Sequence, residues 1–514
     1  MNNRRTSLLA ITVSVSIILS LFGMFTITAA ADGTVYVANP TGIPETDWSN
    51  IQTALNNAMP GDTIVLGAGD YYIHRALVKE SFSGSIIGAG KDVTNIIASR
   101  ASNSDLFAAE HIDAWDDWEE FSIPVGAELH TPTIGYLGGE DNVVISDLTM
   151  VMSEDDMAEL SVVVDSVTGD VLFSLEYDWG YNIGYAFIID IAPGCDTTLE
   201  RVGIIGANDG TQFQPVSPNH GFYITGPQLS VVDDGGTHIA RECDFIGMGS
   251  NSYQPIALMN SKIIVESCVF KNGFAGVVPV FCDRLDITVC DNIFENMGGW
   301  GVALWGLSGS IVDISRNIML DSGGMVLETY PVNPFTYLDY EKNYISFQQN
   351  DVMLQQFGDY GGIEIYNNID DDDWADLVIK SNRFHSVGQW MYGPIFTVNA
   401  HNAVIRNNLM TGSGPAAMYI GFFGAEDRGL SIIGNNLEGW TVDGGPWEPY
   451  WHGMAAIWLE MGTRDCIVVG HANDMVADFG TNNFLVGVTS VLGYVPGEYI
   501  SDAMKINSNV WGLP

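Results

Sequence analysis

Basic residues are scarce in this chain of 514 residues, which has 19 Lys and Arg against 63 Asp and Glu and a formal net charge of −44. Charged residues of both signs make up only 16% of the sequence, so the imbalance reflects missing bases rather than surplus acids. Binding to a phosphate backbone needs clustered Lys and Arg. The composition therefore excludes a nucleic-acid partner.

Long apolar runs are missing beyond the first 31 residues, so the mature chain has no candidate membrane span. The first segment has an Arg-Arg pair at positions 4 and 5, an apolar run to about residue 25, and small residues ending at Ala31. This order is typical of a secretory signal peptide, and an uncleaved anchor is the alternative. We expect a protein that is secreted or held at the cell surface.

Cysteine is also rare, with six residues and no C-x-x-C motif, which argues against a zinc cluster or redox centre. Cys243 and Cys268 occupy equivalent positions in the repeat described below. We expect inert buried thiols, with a disulfide as the alternative. The acidic runs 154–156 and 370–373 lack the spacing of a calcium loop, so we predict no metal or other cofactor, and calcium is the alternative.

A repeat of about 25 residues organises most of the chain. Apolar residues recur five and three positions before an anchor residue and two positions after it, as Ile287, Val289 and Phe294 do around Asn292. The clear anchors are Cys268, Asn292, Asn317, Asn382 and Asn435, and the weaker ones are Leu148, Val202, Cys243, Asn343, Asn407 and His471. Alternation before the anchor predicts a strand with one buried face, and the constant step predicts a solenoid. We expect the Asn anchors to form a structural ladder at a corner where unusual backbone angles are needed.

Residues 48–73, "WSNIQTALNNAMPGDTIVLGAGDYYI", contain a short helical pattern followed by strands, and "SGSIIGAGKDVTNIIAS" adds further strands. This part resembles the N-terminal cap and first coil of the pectin-lyase-like superfamily. The resemblance implies an all-β, right-handed parallel β-helix with an N-terminal capping helix and loop or hairpin insertions. The expected division is a signal peptide (1–31), the cap and first coils (32–100), a β-helix with insertions (101–483, with a hairpin at about 159–178) and a C-terminal cap (484–514).

The resemblance specifies a fold and leaves the activity open, because this superfamily includes lyases, hydrolases, epimerases and non-catalytic surface proteins. The pectate-lyase pattern R-x-P-x-x-R is absent, and the polygalacturonase motifs N-T-D, D-D, G-H-G and R-I-K are not reproduced. No catalytic residue is therefore carried over. Scarce bases disfavour a polyuronate lyase, whereas abundant acids suit a glycoside hydrolase with paired carboxyls.

Acids that follow short apolar strands are the candidates for such chemistry. Glu328 and Glu460 follow "MVL" and "IWL", and Asp283 lies just beyond "VVPVF". We predict that Glu328 pairs with Asp283 or Glu460 as a hypothetical catalytic pair. The hypothetical substrate-binding residues are Trp305, Tyr330, Tyr419, Trp458 and His220.

Two functions follow from these observations. The first is an exported β-helix protein that binds a polysaccharide or cell-surface glycan. If this protein is an enzyme, we expect it to hydrolyse that glycan. The alternative is a non-catalytic adhesion or structural protein of the cell surface. The sequence alone does not distinguish an enzyme from a binding protein.

Overall fold

The structure, a computed structural model, describes residues 33–74, 77–98, 133–152, 162–164, 171–174, 186–206, 221–225, 235–248, 251–333, 338–354, 361–369, 374–387, 393–422, 425–443 and 455–491. The predicted signal peptide, His220 and the acidic runs 154–156 and 370–373 lie outside the described residues. Within the described part, no helix is long and apolar enough to cross a membrane.

The one helix among the described residues, Pro44–Asn57, covers the first coil of the fold. It begins with proline, which is favoured in the first helical turn because no N–H is needed there. The buried carboxylate of Asp47 accepts hydrogen bonds from the backbone N–H groups of Thr41 (2.7 Å), Gly42 (3.1 Å) and Tyr72 (3.2 Å). These bonds attach the helix to the first coil, in agreement with the predicted capping helix.

Thirty-seven of the 39 strands in the described residues form one continuous system of parallel pairs, wound into three faces. The first face contains Thr34–Tyr36, Asp62–Val65, the end of Leu77–Ile87, the middle of Thr133–Met152, the start of Asp196–Ile205, Thr237–Arg241, Lys262–Glu266, Asp286–Cys290, Ile311–Ser315, Asn343–Gln348, Ala375–Lys380, Val404–Arg406, Ser431–Ile433, Ile467–Val469 and Phe484–Val486. The second face contains Gly69–Ile73, Thr94–Ala98, the end of Thr133–Met152, the end of Asp196–Ile205, Asp244–Ile246, Val269–Lys271, Ile293–Glu295, Ile318–Leu320, Asp351–Leu354, Arg383–Val387, Leu409–Gly414 and Asn436–Val442.

The third face contains the start of Leu77–Ile87, the start of Thr133–Met152, Ala186–Ile191, Phe222–Thr225, Asn251–Ile256, Ala275–Val277, Trp300–Trp305, Gly323–Glu328, Ile363–Tyr366, Ile395–Val398, Met418–Ile420, Ile457–Leu459, Met475–Asp478 and Thr489–Val491. Each strand pairs in parallel with its equivalent in the next coil. The architecture is a right-handed parallel β-helix, which is the fold class predicted from the repeat. Apart from it, Val162–Val164 pairs antiparallel with Val171–Ser174 in the interval where the hairpin is expected.

The core fills the space between the three faces. Period-2 alternation buries Ile263 and Val265 completely, and their partners in the neighbouring coils continue the same rows. Like side chains also stack from coil to coil: the rings of Phe245, Phe270 and Phe294 lie parallel, with successive centroids 4.8 Å apart. That spacing equals the distance between paired strands, so one pattern of residues serves every coil.

An asparagine ladder occupies the corner between the first and second faces. The Oδ1 atom of Asn317 accepts hydrogen bonds from the backbone N–H and the Nδ2 of Asn292, both at 3.0 Å. The Nδ2 of Asn317 donates to the carbonyl of Val289 (2.9 Å) and to Oδ1 of Asn350 (3.0 Å). Within the described coils the ladder is formed by Asn292, Asn317, Asn350, Asn382, Asn408 and Asn435.

Two predicted anchors are corrected by this geometry. The ladder uses Asn350 and Asn408, whereas Asn343 opens a first-face strand and Asn407 precedes the ladder position. The unusual backbone angle also belongs to the residue before each ladder asparagine, as with Arg316 (φ 57°) and Asn407 (φ 54°). The side-chain bonds of the ladder therefore stabilise a corner whose strain lies one residue earlier.

All six cysteines are free and buried. Cys243 and Cys268 precede paired second-face strands in adjacent coils, as their repeat positions predict. Burial raises the pKa of Cys290 and Cys466 to about 11, so these thiols stay protonated at neutral pH.

The scarce bases are placed opposite acids of neighbouring coils. Arg201 contacts Asp147 (2.6 Å), and Arg316 contacts Asp291 (2.8 Å), each across one coil step. The guanidinium groups hold the pKa of Asp147 and Asp291 below the usual range of aspartate. These pairs lie at the corner between the first and second faces and leave a large excess of acid on the chain.

Replacing Asn317 by Ala should lower the stability of the whole solenoid, because it leaves the backbone N–H of Asn292 and the carbonyl of Val289 buried without these partners. We expect a loss of about 2–4 kcal/mol, seen as a lower unfolding midpoint in urea. Asn436→Ala is the control, since Asn436 is exposed and its side chain accepts one local hydrogen bond, from Glu438. Equal midpoints for the two variants would contradict a stabilising ladder.

Candidate functional site

The outward side of the third face differs from the other two because a second apolar layer covers much of it. Met325 and Leu327 point into the core, while Val326 between them points outward and is still buried. One outer cluster contains Ala275, Val278, Trp300, Ala303 and Val326, and another contains Phe396, Ala416, Tyr419, Phe422, Ala455, Trp458 and Ala477. On the first face, by contrast, Ile311 and Tyr344 are exposed.

Three glutamates lie in or beside this layer, and each accepts a hydrogen bond from a tyrosine hydroxyl. The pairs are Tyr330 to Glu328 (2.7 Å), Tyr366 to Glu364 (2.9 Å) and Tyr419 to Glu460 (2.6 Å). A hydroxyl bond of this kind orients a carboxyl group that has lost much of its water. The three pairs make this side of the molecule the candidate functional site.

Glu328 is the last residue of the strand Gly323–Glu328 and is partly exposed. Its neighbours in register are Trp305 in the preceding coil and Tyr366 in the following one. Burial raises the pKa of Glu328, and the bond from Tyr330 offsets part of this rise. Burial and the adjacent carboxylate also raise the pKa of Tyr330. The structure thus brings together three predicted site residues: Glu328, Trp305 and Tyr330.

Glu364 is a functional candidate that the sequence analysis missed. It is completely buried, and in register it lies between Val326 and Phe396, which belong to the two outer clusters. Its carboxyl accepts hydrogen bonds from the backbone N–H of Gly361 and from Tyr366. Burial raises the pKa of Glu364 to about 7, against a smaller lowering by Gly361, Tyr366 and Trp300.

Glu364 lies in the middle of its strand, whereas the acids predicted from the sequence lie at or just beyond strand ends. The segment "GIEIY" carries a usable signal, because Ile363 and Ile365 alternate with the acid and predict that it points out of the core. Nothing in that pattern predicts the outer layer that buries it. That layer is assembled from residues of several coils.

Glu460 is buried and does not stand beside Glu328. Its carboxylate accepts hydrogen bonds from Tyr419 (2.6 Å), the indole N–H of Trp458 (3.0 Å) and the backbone N–H of Met461 (3.1 Å). Four coil steps separate it from Glu328, or about 19 Å at the spacing of paired strands. Paired carboxyls of glycosidases lie about 5–10 Å apart, so the predicted partnership of these two acids is wrong.

Asp283 also fails to meet Glu328. It lies at the corner between the third and first faces, is buried, and accepts a hydrogen bond from the side chain of Asn333 (3.1 Å). Two coil steps separate the strands concerned, which is about 10 Å along the axis before any offset across the face is counted. Asp283 therefore lies in the corner and not beside Glu328.

The remaining predicted binding residues fall into two groups. Trp305 and Tyr330 are partly exposed beside Glu328. Tyr419 and Trp458 are buried in the second outer cluster, where their rings stack with centroids 5.9 Å apart. Among the described residues, no group of three or more His, Cys, Asp or Glu side chains is arranged to hold a metal ion.

Comparisons with known proteins find likeness in backbone alone. No family profile matches the chain, and no curated protein matches it.

The A-module of a mannuronan C-5 epimerase from Azotobacter vinelandii matches 87% of this chain and 96% of its own length at 14% identity, with a TM-score of 0.38. A family 28 exopolygalacturonase from Yersinia enterocolitica matches 90% of this chain and 79% of its own at 10% identity, with a TM-score of 0.47. A GH87 alpha-1,3-glucanase from Streptomyces thermodiastaticus matches 89% of this chain and 69% of its own at 12% identity, with a TM-score of 0.46.

The fold is a right-handed parallel β-helix, as the resemblance seen in the sequence implies. The parallel pairing of the coils and the helix over the first coil establish it within the chain itself. The resemblance found in the sequence is thereby confirmed as a resemblance of fold.

Glu364→Gln should change how stability depends on pH. Since the pKa of Glu364 rises from 4.5 to about 7 on folding, the native state keeps a proton that the unfolded chain has already lost in this interval. The protonated carboxyl of Glu364 contributes fully to the free energy of unfolding below pH 4.5, and this contribution is lost as the pH rises through about 7. We expect the wild type to lose roughly 3 kcal/mol relative to the variant between about pH 4.5 and pH 8, measured by urea unfolding.

Asp291→Asn is the matched control for this measurement. Arg316 holds the pKa of Asp291 below its usual range, so this carboxylate is ionised in both states throughout the interval. The difference in free energy of unfolding between Asp291→Asn and the wild type should stay constant with pH. If the difference in free energy of unfolding between Glu364→Gln and the wild type were also constant with pH, folding would not raise the pKa of Glu364.

Proposed function

We propose that this chain is an exported protein that binds a neutral or weakly charged polysaccharide along the outer third face and hydrolyses it there. Glu328 is the proposed proton donor. The observation that carries the proposal is a partly exposed carboxyl with a raised pKa at a strand end, oriented by Tyr330 and flanked in register by Trp305 and Tyr366.

The chemistry follows from the state of that carboxyl. A raised pKa keeps a larger fraction of Glu328 protonated near neutral pH, and the protonated form can donate to the oxygen of a glycosidic bond. The second group of a hydrolase activates water or attacks the sugar, and it must lie within about 10 Å. Glu364 stands one coil away on the same side of the sheet, with the two Cα atoms about 8 Å apart from strand geometry. Its carboxyl is completely buried and bonded to Tyr366, so Glu364 supports the site and does not itself act on the sugar.

The charge of the third face favours a neutral or weakly charged substrate. From Ala186–Ile191 onward, the described strands of the third face contain no Lys or Arg. A polyuronate would meet an acidic surface without bases to neutralise its carboxylates, and a lyase would also lack its usual basic catalyst. A neutral glycan meets neither difficulty and can pack its C–H faces on the rings of Trp305, Tyr330 and Tyr366.

A second candidate function is non-catalytic binding of a cell-surface glycan. It is favoured by Glu460 and Glu364, whose carboxyls are buried and engaged by several hydrogen-bond donors, as expected of structural acids. In that case the third face supplies affinity, and the solenoid serves as a rigid support. Binding without product would distinguish this function from hydrolysis.

The test is a screen of the chain from Asp32 onward on soluble neutral and weakly charged polysaccharides, with reducing ends measured as product. Glu328→Gln should lower kcat about 100-fold or more with little change in KM, because it removes the proton and keeps the shape. Glu295→Gln, which changes a second-face glutamate paired with Lys271 (2.7 Å), should keep full activity. Full activity in Glu328→Gln would remove Glu328 from the mechanism.

A further inference from the structure

Tyr366 lies between the two outer clusters of the third face and contacts both. Its ring packs against members of both clusters, and its centroid lies 5.6 Å from that of Phe396. In register it stands between Glu328 and Val398, so its ring is the next outward side chain along the axis from the proposed proton donor. The residue is partly exposed, whereas Phe396 and Tyr419 farther along are buried.

The orientation of this ring is set by its hydrogen bond to Glu364, two positions earlier on the same strand. The hydroxyl of Tyr366 donates to Oε2 of Glu364 (2.9 Å), and the backbone N–H of Gly361 donates to Oε1. A fully buried carboxyl is costly unless its oxygens are engaged, so the fold holds Glu364 and the tyrosine hydroxyl together. A ring tethered at its hydroxyl and packed on both sides loses little further freedom when a ligand covers it.

A glycine makes room for the indole beside this site. A Cβ atom on Gly323 would lie 2.7 Å from the ring of Trp300, so glycine at this position lets the indole pack in the first outer cluster.

We infer that Tyr366 is a sugar-binding platform next to Glu328, and that Glu364 is a positioning residue that fixes the platform through the tyrosine hydroxyl. This inference rests on the proposed function. It assigns to Tyr366 the sugar ring adjacent to the one on which Glu328 acts. Stacking on an aromatic ring requires C–H faces rather than charges, so the ligand is again a neutral or weakly charged glycan.

The experiment measures the dissociation constant of wild type and variants for a polysaccharide retained in the screen, by affinity electrophoresis in gels containing laminarin, galactomannan, xyloglucan or soluble starch. Tyr366→Ala should weaken binding about tenfold, which corresponds to about 1.4 kcal/mol. Tyr344→Ala is the control, because Tyr344 is an exposed tyrosine of the first face and its loss should leave binding unchanged. Equal binding by Tyr366→Ala and wild type would overturn the inference.

The positioning role of Glu364 has its own readout in Tyr366→Phe and Glu364→Leu. Each variant removes one partner of the hydrogen bond between Tyr366 and Glu364 and keeps the aromatic ring, so each should weaken glycan binding by a smaller factor than Tyr366→Ala. The double variant should bind the glycan as tightly as either single variant, because both substitutions remove the same hydrogen bond. Glu364→Gln keeps a hydrogen-bond acceptor and should restore most of the affinity. Additive losses in the double variant would show that Glu364 acts independently of Tyr366, which would overturn that part.

Failure of the proposed function gives a different pattern. If the wild type is retained by no glycan and releases no reducing ends, the proposed function falls, and this inference falls with it. If the wild type binds or cleaves a glycan while Tyr366→Ala does so equally well, only the inference falls. Unfolding midpoints measured for every variant separate loss of the platform from loss of the fold.

Discussion

Parallel hydrogen bonding between successive coils is the constraint on which the rest of this structure depends. It places equivalent residues about 4.8 Å apart along the axis, and the stacks of like side chains seen in the described coils follow from that spacing. The asparagine ladder stabilises the corner where the backbone turns from the first face to the second, and it satisfies backbone groups that would otherwise be buried without partners. The Phe245–Phe270–Phe294 stack uses the same spacing inside the core.

The third face adds a second layer to this plan. Outward positions that carry exposed apolar or charged residues on the other faces carry small apolar and aromatic residues here, and these bury one another. Carboxyl groups inside such a layer lose water, which is why the pKa of Glu364 and of Glu328 rises. Tyrosine hydroxyls supply part of what water would have supplied, and they also determine where each carboxyl points. Stability and candidate chemistry therefore share the same side chains.

The fold could be predicted because its cause is local and repeated. Alternation before each anchor, as at Ile287 and Val289, indicates a strand with one buried side, and the constant step indicates a solenoid. The repeat predicts the wrong residue where a coil carries an insertion: it indicates Asn343, whereas Asn350 occupies the ladder, because that coil is longer and its anchor shifts along the chain. Spacing alone does not show which of two nearby asparagines faces the ladder.

The sequence by itself determined the parallel β-helix, its capping helix, the strand ends that carry Glu328 and Trp305, and the shortage of bases that argues against anionic partners. The tertiary structure alone decided which acids are neighbours. Glu328 and Glu460 follow similar apolar strands in the sequence, yet four coil steps separate them, whereas Glu364 comes next to Glu328 only because their coils are adjacent. Distance along the axis depends on the number of coils between two residues, and burial on the outer face depends on side chains contributed by several coils. Neither quantity is a property of the local pattern around one residue.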